Sequence, residues 1–125
     1  MTAIAGLAMS ESVVVLPRFQ TKIGERTIDP RRIIYLSAQL NYTLFHLENG
    51  EHVLTSLPLS FYAPLLETYG FIRVHKSYLL NGYHLNKCFL RNNRELRLPN
   101  GTVIEVARRR QTAFKRLVKG QRRDN

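Results

Sequence analysis

Eleven consecutive residues, Phe71-Ile72-Arg73-Val74-His75-Lys76-Ser77-Tyr78-Leu79-Leu80-Asn81, set a polar cluster between apolar neighbours. Arg73, His75, Lys76 and Ser77 bring several hydrogen-bond donors within five positions, all able to reach a phosphate or a base edge. His75 could equally be a hydrogen-bonded core histidine and Arg73 a solvated charge. A second cluster, Ala107-Arg108-Arg109-Arg110, opens the last amphipathic run. Successive helical residues point about 100° apart, so three arginines in a row cannot all face one ligand. One can read a base while another grips phosphate, and a bidentate guanidinium is the commonest reader of guanine. The plainer alternative is a solubilising basic run. A third place, Gln39-Leu40-Asn41-Tyr42, lies in a stretch without Lys or Arg, where Asn41 could simply be a turn residue in the left-handed region.

Catalysis finds little support. No aspartate lies near His75 and Ser77 to orient the histidine, and no glycine-rich turn exposes the serine. The two aspartates, Asp29 and Asp124, leave paired-carboxylate chemistry to scattered glutamates, and one cysteine excludes a disulfide framework and a multi-cysteine zinc site. Neither an enzyme nor a cofactor or metal is expected.

Charge is divided unevenly. Residues 1–70 carry five basic against six acidic groups, a net −1, whereas residues 71–125 carry fourteen against three, a net +11, which together make the chain's formal +10. One folded domain so divided should present a basic face to a polyanion. The opening stretch lacks the basic start of a signal peptide, and no apolar run is long enough to span a bilayer, so a cytoplasmic protein without membrane contact is expected.

The elements that must hold these clusters read as hairpins. Asn49-Gly50 and Asn100-Gly101 each sit between alternating apolar and polar residues, which predicts type I′ turns; Lys22–Glu25 and Asn92-Asn93 give weaker signals. Leu57, Phe61, Leu65, Leu66 and Tyr69 recur at helical spacing, predicting a helix from near Ser60, with Pro64 in its first turn and Gly70 as its stop. A basic helix over Arg108–Lys119, with Ala113, Phe114, Leu117 and Val118 on one face, should end at Gly120.

Five blocks in this order carry a resemblance: Ile33-Ile34-Tyr35-Leu36 with Ala38 and Asn41-Tyr42-Thr43; Ser56-Leu57; Phe71 to Asn81; Leu98-Pro99-Asn100-Gly101 through Val106; and Arg108-Arg109. Together they resemble the LytTR DNA-binding domain over four-fifths of the chain. The resemblance implies a mainly β fold of consecutive small antiparallel, hairpin-rich sheets with one or two short helices, spanning residues 18–119 between disordered segments 1–17 and 120–125. It further implies a sequence-specific transcriptional regulator of the response-regulator kind that binds double-stranded DNA, commonly as two copies on direct repeats. Loop side chains enter successive major grooves, and the DNA bends. By position, Asn41, Lys76 and Arg109 read bases. Tyr42, Arg73, His75, Ser77, Arg91, Arg108, Arg110 and Lys115 grip phosphate or support the readers. Ala107 departs from the family's usual serine, removing one hydroxyl contact. About 18 residues precede the match, too few for the usual phosphorylation-receiving domain, so an unidentified regulatory protein, a ligand or expression level would supply control. An RNA-binding β module is the alternative, though its stacking aromatics would have to be exposed, and Tyr35, Phe45, Phe71 and Tyr78 lie in apolar runs.

Overall fold

A computed structural model of the chain describes residues 16–123, with no description of side chains beyond Val118. The expected disordered segment 1–17 therefore falls almost wholly outside the described residues. Seven strands pair into one antiparallel sheet. They are β1 (Arg18–Thr21), β2 (Gly24–Thr27), β3 (Ile33–Gln39), β4 (Tyr42–Leu47), β5 (His52–Thr55), β6 (Phe71–His75) and β7 (Tyr78–Asn81), in the order β2-β1-β5-β4-β3-β7-β6. A second antiparallel sheet orders β10 (Val103–Glu105), β9 (Glu95–Arg97) and β8 (Phe89–Arg91). Two α-helices, α1 (Leu59–Glu67) and α2 (Gln111–Arg123), and short 3-10 turns at Pro30–Arg32, Gly82–Lys87 and Arg108–Arg110 complete the description. The fold is mainly β and antiparallel, with few helices.

The large sheet is covered on both faces near its centre. Leu36 and Leu79 join Phe19, Phe45, Tyr62 and Leu66 in a core beneath α1. Tyr35 and Leu80, their neighbours in sequence, join Val74, Leu96, Ile104, Phe114 and Val118 in a core beneath the small sheet and α2. Successive strand residues point to opposite faces, so β3 and β7 serve both cores. Asn81, 2% exposed, ties them to the preceding turn: its Nδ2 donates to the carbonyls of Pro30 and Ile33 at 3.3 and 2.9 Å.

Three local expectations change. The Asn-Gly turns have positive φ only at glycine, +86° at Gly50 and +90° at Gly101, so neither is type I′, which needs it at both central residues. Each is a three-residue loop in which the asparagine Oδ1 accepts the amide two residues on, Glu51 at 2.9 Å and Thr102 at 3.0 Å. The type I′ geometry falls instead on Asn92 and Asn93, with φ 53° and 61° and the Arg94 amide bonded to the Arg91 carbonyl.

In α1 the buried residues are Leu59, Tyr62, Ala63 and Leu66, while Phe61, Leu65 and Tyr69 are exposed. Of the expected row only Leu66, and Leu57 just before the helix, pack on the core, because the i, i+3, i+4, i+7 row from Leu59 competes with it and is the one the sheet covers. The helix starts directly after Pro58, so Pro64 lies in its second turn, on the exposed side. There the carbonyl that its missing N–H would have bonded can face water. Gly70, at φ +90°, follows the helix as expected.

Finally, α2 starts at Gln111 after a 3-10 turn and runs through Gly120 to Arg123, so the expected tail is helical over its first four residues. An isolated glycine costs a helix about 1 kcal/mol against alanine without ending it. Of its predicted face only Phe114 and Val118 are buried; Ala113 and Leu117 are exposed.

Candidate nucleic-acid interface

Antiparallel pairing brings several connections to one end of the large sheet. Gln39 pairs with Tyr42, leaving Leu40 and Asn41 as a two-residue turn between β3 and β4. Leu40, not Asn41, takes the left-handed conformation, with φ 57°. Asn41 therefore sits at the tip, exposed, with no role in supplying the turn's unusual backbone. Tyr42 carries the Lys22 Nζ over its ring, 3.9 Å from the centroid. Lys22 lies on the β1–β2 turn and escaped the sequence reading, because a cation–π pair twenty residues apart leaves no local signal.

The β6–β7 turn is adjacent. The Ala38 amide donates to the Ser77 carbonyl at 2.9 Å, joining the end of β3 to this turn. A register shift between Arg73 and His75 bends β6 here, as bulges do. Arg73 closes the turn from inside, its Nε donating to the His75 carbonyl at 2.8 Å and one terminal nitrogen to the Lys76 carbonyl at 2.6 Å. His75 Nδ1 accepts the Ser77 amide at 3.1 Å, and its Nε2 lies 3.6 Å from a Glu105 carboxylate oxygen. Arg73, His75 and Ser77 are thus tied into the turn, and Lys76 alone among the four is exposed.

The Arg108–Arg110 turn joins this place through backbone. The Ala107 amide donates to the Val74 carbonyl on the free edge of β6 at 2.8 Å, at the bulge. Phe114 and Val118 then hold the following helix in the second core. Ala107 offers no capping side chain; Gln111 Nε2 reaches the Val106 carbonyl at 3.4 Å instead. Arg73, His75, Lys76, Ala107 and the three arginines together line an open hollow of about 420 Å³. Lys115 is exposed further along α2. Arg91 stands apart from the hollow, on the small sheet, where it pairs in register with Glu95, which pairs with Glu105.

The hollow is strongly basic. Among the described residues no carboxylate lies within 4.0 Å of Lys76, Arg108, Arg109 or Arg110. Burial lowers the Arg73 pKa from its ordinary value, as does the charge of Arg110, with Glu67 opposing. Such a surface offers many donors and few acceptors, which suits a polyanion. Among the described residues no group of three or more metal-ligating side chains occurs, and no helix is long and apolar enough to cross a membrane.

A model of the LytTr DNA-binding domain matches residues 25–119. Among solved structures, the chain is similar to the LytTr DNA-binding domain of a Bacillus cereus protein described as a methyl-accepting/DNA response regulator. The two are 22% identical, the match covers 82% of this chain and 95% of that one, and the TM-score is 0.65. No curated protein matches.

Proposed function

The chain belongs to the LytTr DNA-binding domain family, and from that premise we propose that it is a sequence-specific transcriptional regulator, cytoplasmic, that binds double-stranded DNA through this end of the sheet. Asn41, Lys76 and Arg109 read bases. Arg108, Arg110 and Lys115 hold phosphates, while Arg73, His75 and Ser77 shape the turn that presents Lys76, and Tyr42 carries Lys22 toward the backbone. Arg91 makes an outlying phosphate contact.

The observation that carries this reading is the convergence of the exposed, sequence-distant Asn41, Lys76 and Arg109 on one end of the fold, beside cations that have no carboxylate within 4.0 Å among the described residues. Coverage of both faces of the central strands favours duplex over single-stranded RNA, since buried Tyr35, Phe45 and Phe71 cannot stack on bases. At this end the Asn41 and Lys76 turns stand two strand spacings or about 10 Å apart and the outermost turns, β1–β2 and β6–β7, about 24 Å, all short of the ~34 Å between successive major grooves. Loops entering two grooves therefore call for DNA that curves toward the protein. Bending by 40–90° costs on the order of 1–6 kcal/mol, which several charge-assisted phosphate contacts can offset. Two copies occupy direct repeats.

Selection from a random duplex library followed by sequencing tests this. A recovered direct-repeat motif is the expected result; enrichment of no motif would overturn sequence-specific binding.

A further inference from the structure

We infer that Leu40 is a fourth base-contacting residue, reading the 5-methyl group of a thymine next to the base contacted by Asn41; this rests on the proposed DNA-binding reading. Leu40 is 96% exposed at a turn tip, where a large aliphatic side chain gains nothing from the fold. Its φ of 57° lies in the left-handed region, which a branched side chain enters at a cost that glycine or asparagine would avoid. Asn41, the next residue, would supply that conformation more cheaply, yet it does not adopt it. A backbone outlier of this kind, on an exposed apolar residue, points to a task outside the folded chain.

The surroundings narrow the task. The turn stands two strand spacings from the β6–β7 turn that carries Lys76 and is joined to it through the Ala38–Ser77 bond, so Leu40 lies at the same end of the sheet as the basic hollow. On the major-groove edges of the bases the thymine methyl is the one apolar group, whereas an asparagine is suited to adenine N6 and N7. A Leu-Asn pair at one tip is thus equipped to read an apolar and a polar feature of adjoining base pairs. Ile23, 97% exposed on the β1–β2 turn, is the equally exposed aliphatic that stands three strand spacings away and serves as the comparison.

The test uses the full chain and a random duplex pool amplified once with thymidine and once with deoxyuridine, which differ only in that methyl. Wild-type protein should enrich a thymine at one position from the first pool. A single uracil at that position of the recovered duplex should weaken binding about fourfold, the change that burying one methyl group corresponds to. Leu40→Ala should bind the thymine and uracil duplexes equally, while Ile23→Ala retains the difference. Equal affinity of wild-type protein for both duplexes, or a thymine preference that survives Leu40→Ala, would overturn the assignment. Enrichment of no motif from either pool would instead overturn the DNA-binding reading, and the assignment with it.

Discussion

The arginines of the N-terminal strands and those that follow the last strand meet opposite surroundings. Arg18 lies 3.6 Å from Glu25, Arg26 makes a two-pronged contact with Glu51 at 2.5 and 3.0 Å, and Arg31 meets Asp29 at 2.7 Å. Lys76 and Arg108 to Arg110 have no such carboxylate among the described residues. Exposed pairs of the first kind add little stability, but they cancel charge locally, and Arg18–Glu25 links the first two strands. Unpaired cations gathered in one hollow repel each other and hold the local potential positive. Among the described residues, a group of cations from the second half of the chain therefore gathers in one hollow with no carboxylate partner.

Disturbing the anchor of the unpaired region should have the largest effect. Phe114 is 3% exposed and fastens α2 behind the arginine turn. Phe114→Ala should cost about 3–5 kcal/mol in urea unfolding and reduce duplex specificity along with it. Arg18→Ala should do neither.

Within the hollow, Arg109→Ala is expected to lose about 1–3 kcal/mol of binding and relax preference at one base pair, whereas Arg110→Ala should weaken all duplexes alike. Competition titrations with cognate and scrambled DNA separate the two. The same specificity ratio in both variants would break the division between reader and phosphate grip.

Histidines sharpen the contrast between core and interface. His46 stacks on Tyr35 at 3.9 Å, and its Nε2 is 2.8 Å from the Ser37 hydroxyl. Burial, with a smaller contribution from the charge of His52, pushes its pKa down to about 4. The unfolded chain takes up this proton first. Stability is therefore complete above about pH 6.5, falls as pH drops toward 4, and levels off below that; the full shift corresponds to about 3 kcal/mol, which solvent around the half-buried ring reduces to on the order of 2. Buried His84 is shifted in the same direction, mainly by desolvation. Urea midpoints between pH 7 and 5 should decline for the wild type and decline less for His46→Gln.

The smallest effect concerns the paired region. Arg26→Ala should lower stability by less than about 1 kcal/mol and leave DNA affinity within about twofold. A tenfold loss of affinity would extend the interface across the sheet.

How far the sequence reached depends on the range of the signal. Hairpins, their alternation and the polar cluster after Phe71 are local patterns, and they reappear as strands and turns. The Asn-Gly pairs mark the right places but not the turn type, since three-residue loops require positive φ at glycine alone. The face of α1 was misread because two apolar rows share its nine residues and only the sheet chooses between them. Lys76 and Arg109 are brought together by one backbone bond, Ala107 to Val74, which no periodicity reports. Asn41 was visible only through resemblance, because composition there is neutral.

The central claim, that the unpaired cations at the sheet end bind a phosphate backbone, is tested most directly by anisotropy titration of a labelled duplex across salt concentrations. Neutralising about six phosphates predicts that log K falls against log[salt] with a slope of roughly −5, and that Arg110→Ala reduces the slope by about one. A flat salt response, or a slope unchanged in Arg110→Ala, would contradict it.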